Sequence, residues 1–311
     1  MSLPIYAFLG PEGTFTDAAL RAMTSGLEII ALPTVDVPAA LWAVRSGQAD
    51  FAVVAIENTV EGGVTATLDT LAEGAPLVIL GEFVLPVAFE LVAATPLVMA
   101  DIGKVSAHSH GLAQCRRWLA AHLPQAIQVA ATSNAAAAAA LADGTADFDA
   151  ALAPPGTAER LGLRIVADGV ADNVQAATRF VRVGRPGAVP AATGSDKTTL
   201  VVHLPDDRAG ALLEMLEQFS VRGVNLSRIE SRPIGDKPGE YAFSIDALAH
   251  VDEARMAEVL VGLKRTCPVV TFLGSYPAAH GQPTHVARGT ADADYAGARA
   301  WVESLRLASG T

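Results

Sequence analysis

With 311 residues the chain is long enough for two or three domains with cores of their own. Its 51% hydrophobic against 18% charged residues is a globular balance, and no run nears the roughly 20 charge-free apolar residues of a membrane span, since Glu82, Pro86, Glu90 and Pro96 interrupt Leu77 to Val98. The net charge of -11 excludes a broad phosphate-binding surface, so neither nucleic acid nor membrane is an expected partner. Met1 to Gly10 reads as a strand entering a turn rather than as a targeting segment. Cys115 and Cys267 are too few and too far apart for a disulfide framework, and a soluble, cytoplasmic protein is expected.

Ile5 to Leu9 is an apolar run of strand length. Gly10-Pro11-Glu12-Gly13 tightens the turn after it, and Thr14 and Thr16 stand where a helix through Leu20 begins. N–H groups and hydroxyls would converge there, either as an anion pocket or as an ordinary Thr-capped turn. Asp36 and Pro38 open a second helix that stops near Gly47. Phe51 to Ile56 predicts a buried strand, with Glu57-Asn58-Thr59 at its carboxyl end, where ligands collect in open α/β sheets. Gly62-Gly63-Val64 leads into a helix from Thr65 to Leu71, and the alternation of strand and helix implies a mainly parallel sheet.

Two extended segments divided by Pro86 run from Leu77 to Ala94, and the pattern then restarts. A strand about Val105, the loop Ser106 to Gly111 and a helix from Leu112 to Leu123 are followed by a strand Ile127 to Ala130. Ser133-Asn134 caps an alanine helix to Ala142, and a strand Phe148 to Leu152 and a short helix Pro154 to Leu161 follow. The restart predicts two lobes, with crossings near 77–94 and 168–179 and a cleft between them. His108 and His110 lack matching Cys, Asp or Glu spacing, and no metal site is expected.

Thr178-Arg179-Phe180 follows a loop of small and polar residues and leads into a strand through Val183. A hydroxyl beside a guanidinium can hold an oxygen-rich anion, although an Arg beside a strand also serves as an ion-pair partner. Pro186 to Ser195 reads as a linker. Beyond it the segments Lys197–Leu204, Gly210–Phe219, Val224–Ser231, Tyr241–Ala247, Glu253–Lys264 and Val269–Leu273 give the order βαββαβ, with a turn at Gly235-Asp236-Lys237-Pro238-Gly239. A final amphipathic helix, Ala293 to Leu307, carries Tyr295, Trp301, Val302 and Leu305 to pack on something.

These segments, over about Ile5 to Pro277, resemble the bacterial prephenate dehydratases, which join a catalytic domain to a C-terminal ACT regulatory domain. The resemblance lies in Gly10-Pro11-Glu12-Gly13-Thr14-Phe15-Thr16, Ile56-Glu57-Asn58-Thr59, Thr67-Leu68-Asp69, Leu112-Ala113-Gln114-Cys115 and Thr178-Arg179-Phe180. In the ACT part it lies in Gly210-Ala211-Leu212-Leu213 and Asn225-Leu226-Ser227-Arg228-Ile229-Glu230-Ser231-Arg232-Pro233. It implies an α/β fold: a two-lobed, periplasmic-binding-protein-like catalytic domain at 1–185, a linker at 186–195, a ferredoxin-like ACT domain at 196–277 and a tail at 278–311.

The activity implied is decarboxylating dehydration of prephenate to phenylpyruvate in phenylalanine biosynthesis, without cofactor or metal. Thr178, Asn58, Gln114 and Glu57 would form the catalytic set, and Thr14, Thr16, Thr59, Arg179, Ser106 and Gln175 would bind substrate. Gly210, Ala211, Leu212, Asn225, Leu226, Glu230 and Ser231 would take L-phenylalanine as a feedback effector, in a homo-oligomer, dimer or tetramer, joined through the ACT domains. The chain departs from the family pattern in four places: Ala107-His108-Ser109-His110 stands for a Ser or Thr followed by His-Pro-Gln, Gln175 replaces an Asn, Ala55 replaces a Pro, and Ala209 replaces the Pro before Gly210. An arogenate dehydratase and a non-catalytic amino-acid sensor are the competing readings.

Overall fold

The computed structural model describes residues 2–60, 62–233 and 241–308. The expected turn at Gly235 to Gly239 lies outside them. The strands are β1 (Ile5–Leu9), β2 (Ile30–Thr34), β3 (Phe51–Asn58), β4 (Gly62–Gly63), β5 (Val78–Pro86), β6 (Glu90–Ala93), β7 (Lys104–Ala107), β8 (Ile127–Ala130), β9 (Ala150–Ala153), β10 (Arg164–Ala167), β11 (Ala177–Gly184), β12 (Asp196–His203), β13 (Leu226–Pro233), β14 (Tyr241–Ala247) and β15 (Val269–Pro277). The helices are α1 (Phe15–Met23), α2 (Val37–Arg45), α3 (Thr65–Ala72), α4 (Ser109–Gln114), α5 (Arg116–His122), α6 (Asn134–Ala142), α7 (Thr157–Leu161), α8 (Ala211–Ser220), α9 (Ala254–Thr266) and α10 (Asp292–Ala308). They form two compact units, one holding the residues up to Thr67 with Phe83–Val181, the other Leu68–Glu82 with the chain from Arg182.

The first unit carries two sheets. In one, with strand order β2-β1-β3-β11-β5, β1 runs parallel to both β2 and β3. Tyr6, Phe8, Ala19, Leu20, Val53 and Phe180 form its core, so the apolar runs at β1 and β3 are strands buried on both faces. The other has the order β10-β6-β9-β7-β8. There β7 is parallel to β8 and β9, whereas β6 is antiparallel to β9 and β10. The mainly parallel sheet read from the alternation therefore becomes a mixed one, because each crossing segment delivers one strand to each sheet. The two lobes joined by two crossings are the periplasmic-binding-protein-like architecture.

Local chemistry sets the helix starts. Thr14 caps α1 by accepting from Asp17 N–H, Asp36 caps α2 by accepting from Ala39 N–H, and Ser133 caps α6 by accepting from Ala136 N–H. The single helix expected from Leu112 to Leu123 is broken at Cys115 into α4 and α5. Its second half is capped from far away: Arg117 and Trp118 N–H donate to the Asp172 carboxylate at 2.8 and 2.9 Å. The Gly62-Gly63 segment, expected only as a helix entry, pairs antiparallel with Glu57 and Asn58.

The second unit contains the expected βαββαβ order as an antiparallel sheet, β13-β14-β12-β15, with α8 and α9 closing its core around Leu200, Met215, Phe219, Ile245, Met256 and Val259. This is the ferredoxin-like arrangement. Lys197 donates to the buried Glu82 at 2.9 Å within this unit. The tail helix α10 is tied to α9 by Arg299 donating to Glu258 and by Ala254 N–H donating to Asp292, both at 2.7 Å. Of its apolar residues Tyr295 is half-buried, while Trp301, Val302 and Leu305 are exposed, so the expected packing is met by Tyr295 alone.

Candidate active site

Because β11 lies between β3 and β5, Thr178 and Arg179 stand beside Asn58 and Glu57 on neighbouring strands. Thr178 belongs to β11 itself rather than to the loop before it. The two segments are stapled by Thr59 N–H donating to Ala177 C=O and Ala177 N–H donating to Thr59 Oγ1, each at 3.0 Å. Asn58 Nδ2 then donates to Thr178 Oγ1 at 2.8 Å. Val60 N–H donates to Asn58 Oδ1 at 2.8 Å, which orients the amide so that its donor faces the threonine. One residue along, Arg179 Nη1 donates to Glu57 Oε2 at 3.2 Å, with Thr178 and Arg179 both buried.

A hydroxyl that accepts from an amide keeps its own hydrogen to donate, and acceptance polarises the O–H. The pair is thus an oriented, neutral hydrogen-bond donor in a buried setting. A donor of that kind stabilises an oxygen on which negative charge develops.

The other expected residues divide between two cavities. Thr14 and Thr16 line a cavity of about 640 Å³, together with Pro33, Thr34, His108, Ser133 and Asn134. Its walls come from both lobes, so it is the cleft. Thr59 and Gln114 line a second cavity of about 240 Å³ with Arg117, Asp172 and Ala176, next along the chain to the Asn58–Thr178 pair. Thr178, Asn58, Glu57 and Arg179 are walls of neither. Thr14 Oγ1 is itself engaged, donating to Leu9 C=O at 3.2 Å while capping α1, so its hydroxyl builds the turn.

Ser106 Oγ and Gln114 Oε1 are buried without a hydrogen-bond partner. Leaving such an atom unsatisfied costs about 1–3 kcal/mol, which a polar ligand or water relieves. Gln175 is exposed, its N–H donating to Asn173 Oδ1 at 3.0 Å. Cys115 is fully buried, with its thiol pushed up to about 12 by burial and then by the Asp172 charge, so it packs and does not act as a nucleophile.

Sequence reasoning missed His108 and Asn134 as one wall of the cleft. His108 N–H donates to Asn134 Oδ1 at 2.8 Å, and a Cβ on Gly111 would stand 2.7 Å from that oxygen. The His-x-x-Gly spacing in the departing loop was the available signal. Among the described residues no group of three or more His, Cys, Asp or Glu is arranged to hold a metal ion.

In the second unit, Gly210 begins α8 in the left-handed region at φ +90°, a conformation that glycine adopts without strain. Ala211 is buried and Leu212 exposed. Asn225 lines a cavity of about 410 Å³ with Leu248 and tail residues from His280 to Ala287, and Gly210, Glu230 and Ser231 are not among its walls. Leu226 and Glu230 are half-buried on β13, Glu230 lies 3.5 Å from Arg228, and Ser231 is exposed.

Residues 6–188 match the family described as Prephenate dehydratase. The prephenate dehydratase of Mycobacterium sp. (strain KMS) is 45% identical over 314 residues, spanning 98% of this chain and 96% of that protein. The chain belongs to the prephenate dehydratase family. Among solved structures, the prephenate dehydratase of Arthrobacter aurescens in complex with L-Phe superposes with a TM-score of 0.92 at 50% identity, covering 97% of this chain and 99% of that one. GqqA, described as a novel type of quorum quenching acylase, superposes with a TM-score of 0.78 at 29% identity over 88% of this chain and 98% of its own. In this prephenate dehydratase family member both cysteines are free and buried, so neither is placed for nucleophilic acyl transfer.

Proposed function

We propose that the protein converts prephenate to phenylpyruvate, carbon dioxide and water. The ring carboxylate leaves as carbon dioxide, and the electrons of the broken C–C bond stay behind in the ring. Those electrons run through the ring to expel the hydroxyl opposite, which takes up a proton from solvent and departs as water. Aromatisation supplies the driving force, so the protein's task is to help the hydroxyl leave. Thr178 does so by donating a hydrogen bond to the leaving oxygen, and Asn58 holds Thr178 in the orientation that makes this possible. Gln114 orients the substrate through its unpaired carbonyl oxygen, and Ser106 offers the hydroxyl that Ala107 lacks. Glu57 fixes Arg179, which supports the strand end.

The Asn58–Thr178 hydrogen bond at 2.8 Å is the observation that carries this reading. Incubation with prephenate and, separately, arogenate, with the aromatic product of each followed, tests it. Phenylpyruvate from prephenate is the expected result.

Residues 1–185 form the catalytic domain, 186–195 the linker, 196–277 the ACT domain and 278–311 its tail. The ACT domain binds L-phenylalanine as a feedback inhibitor, as the L-Phe complex of the Arthrobacter aurescens relative supports. Homo-oligomerisation through this domain has support in the exposed apolar residues Leu213 and Val221 of its first helix region. Two buried free thiols suit the reducing cytoplasm.

A further inference from the structure

Prephenate is a dianion, and a carboxylate drawn from water into a cleft calls for a charge-assisted partner. Among the described residues no Lys or Arg lines the cleft cavity of about 640 Å³. Arg179 is not one of its walls, and its Nη1 is given to Glu57 Oε2 at 3.2 Å. The net charge of -11 sets up a field that opposes an anion, so the partner must be a local one.

One guanidinium stands where it is needed. Arg160 reaches from α7 in the second lobe to the turn before α1 in the first: a Cβ on Gly13 would overlap its Nη2 and stand 2.7 Å from its Cζ. Thr14, the residue after Gly13, and Pro154, in the segment that leads into α7, are both walls of the cavity, so Arg160 lies at the rim of the cleft. Both ends of this approach are anchored. Gly13 N–H donates to Asp17 Oδ2 at 2.8 Å, and Ala158 of α7 is buried in the second lobe's core. Asp17 is also engaged by Arg21, whose Nε donates to its Oδ1 at 3.1 Å. Among the described residues the Arg160 side chain has no hydrogen-bond or ion-pair partner, and it is exposed. From the rim, rotation about its own side-chain bonds carries its charge to an anion in the cavity.

We propose that Arg160 pairs with the pyruvyl carboxylate of prephenate and sets the preference for this keto acid over arogenate. This rests on the reading of prephenate as substrate. The reaction itself decides between the two carboxylates. The ring carboxylate gives up its charge as carbon dioxide forms, so a guanidinium on it would stabilise the ground state more than the transition state and slow the step. The pyruvyl carboxylate keeps its charge throughout, so pairing it lowers KM and leaves kcat unchanged. Arogenate carries an ammonium beside that same carboxylate. Arg160 therefore meets one negative charge at this end of prephenate and zero net charge in arogenate, a difference that favours prephenate.

Steady-state kinetics of wild type, Arg160→Lys and Arg160→Gln on prephenate and on arogenate test this, with each fold verified by melting. Where arogenate is not turned over, its inhibition constant against prephenate replaces its kcat/KM. Arg160 is exposed, so neither substitution opens a cavity in the core. For Arg160→Gln the expected result is a KM for prephenate at least about 10-fold higher, with kcat and the arogenate constant each within about 3-fold of wild type. Arg160→Lys, which keeps the charge, should recover part of the loss. An unchanged KM for prephenate in Arg160→Gln overturns the proposal while the prephenate reading stands. An equal loss with both substrates also overturns it, because Arg160 would then only hold the lobes together. If wild type forms no phenylpyruvate from prephenate, the reading itself fails and the proposal falls with it.

Discussion

Asn58 donates a hydrogen bond to Thr178 across two neighbouring strands, 120 positions apart in sequence and 2.8 Å apart in space. The direction of that bond matters as much as its length. Asn58 Oδ1 is occupied by Val60 N–H, so the amide can only offer its nitrogen to the threonine. Asn58→Asp would keep the Val60 contact and turn the group facing Thr178 from a donor into an acceptor. Thr178 would then give its hydrogen to the aspartate rather than to the leaving oxygen. The expected outcome is a kcat loss of about 10²–10³-fold, the usual cost of removing one positioned donor, with KM within about 3-fold of wild type. Steady-state kinetics on prephenate, with circular dichroism to show an unchanged fold, checks it.

Gly111 provides a test of the cleft wall. Alanine there would press on Asn134 Oδ1, which accepts from His108 N–H at 2.8 Å. Gly111→Ala should displace Asn134 and raise KM for prephenate by about 3–10-fold, roughly 1 kcal/mol of binding, with a smaller effect on kcat. A companion variant, Asn134→Ala, should show the same KM rise. An unchanged KM in both would remove this wall from the substrate site.

Arg232 donates through Nε and Nη2 to Asp69, each at 3.1 Å. Asp69 shares α3 with Thr67, whose hydroxyl donates to Ala55 C=O on β3, the strand that ends in Glu57 and Asn58. A shift of β13 on effector binding would thereby reach the catalytic strand through one helix. The pair is partly exposed, so its removal should change stability by no more than about 1 kcal/mol. Asp69→Ala is expected to bind L-phenylalanine as wild type does while losing at least half of the maximal inhibition. Binding measured by calorimetry, set beside inhibition measured by product formation, separates the two effects.

Glu90 lies buried on β6 with Oε2 unpaired, and its carboxyl pKa is raised, first by burial and then by the Asp168 charge, against a lowering contact from Gly156 N–H. A carboxyl whose folded pKa exceeds its unfolded value, here 4.5, binds more protons when folded. Its contribution is therefore most favourable below that value and is lost as pH rises through the raised folded pKa. Glu90→Gln should raise Tm at pH 7, by roughly 2–4 °C for each kcal/mol relieved, and the gain should vanish below about pH 4.5. Thermal melts of both proteins across that range decide it.

Much of this was legible in the sequence because it is local. Thr14, Asp36 and Ser133 are caps that the chain announces within three residues, and the βαββαβ order follows from the spacing of apolar runs. What escaped is what distant segments impose. The break at Cys115 arises because Asp172, more than 50 residues on, captures the N–H groups of Arg117 and Trp118. The strand made by Gly62 and Gly63 exists only through its pairing with Glu57 and Asn58. Asn134 reads as a cap residue, and only the fold brings its carbonyl to His108. Arg255 carries no sign in sequence that it will be buried under the tail.

The most direct test concerns Thr178 itself. Turnover of prephenate by Thr178→Ala, with phenylpyruvate formation followed against wild type and folding verified by melting, asks whether this hydroxyl drives the loss of the leaving group. A fall in kcat of at least about 10³-fold, with L-phenylalanine still bound, is the predicted result. Wild-type kcat in the folded variant would contradict the account.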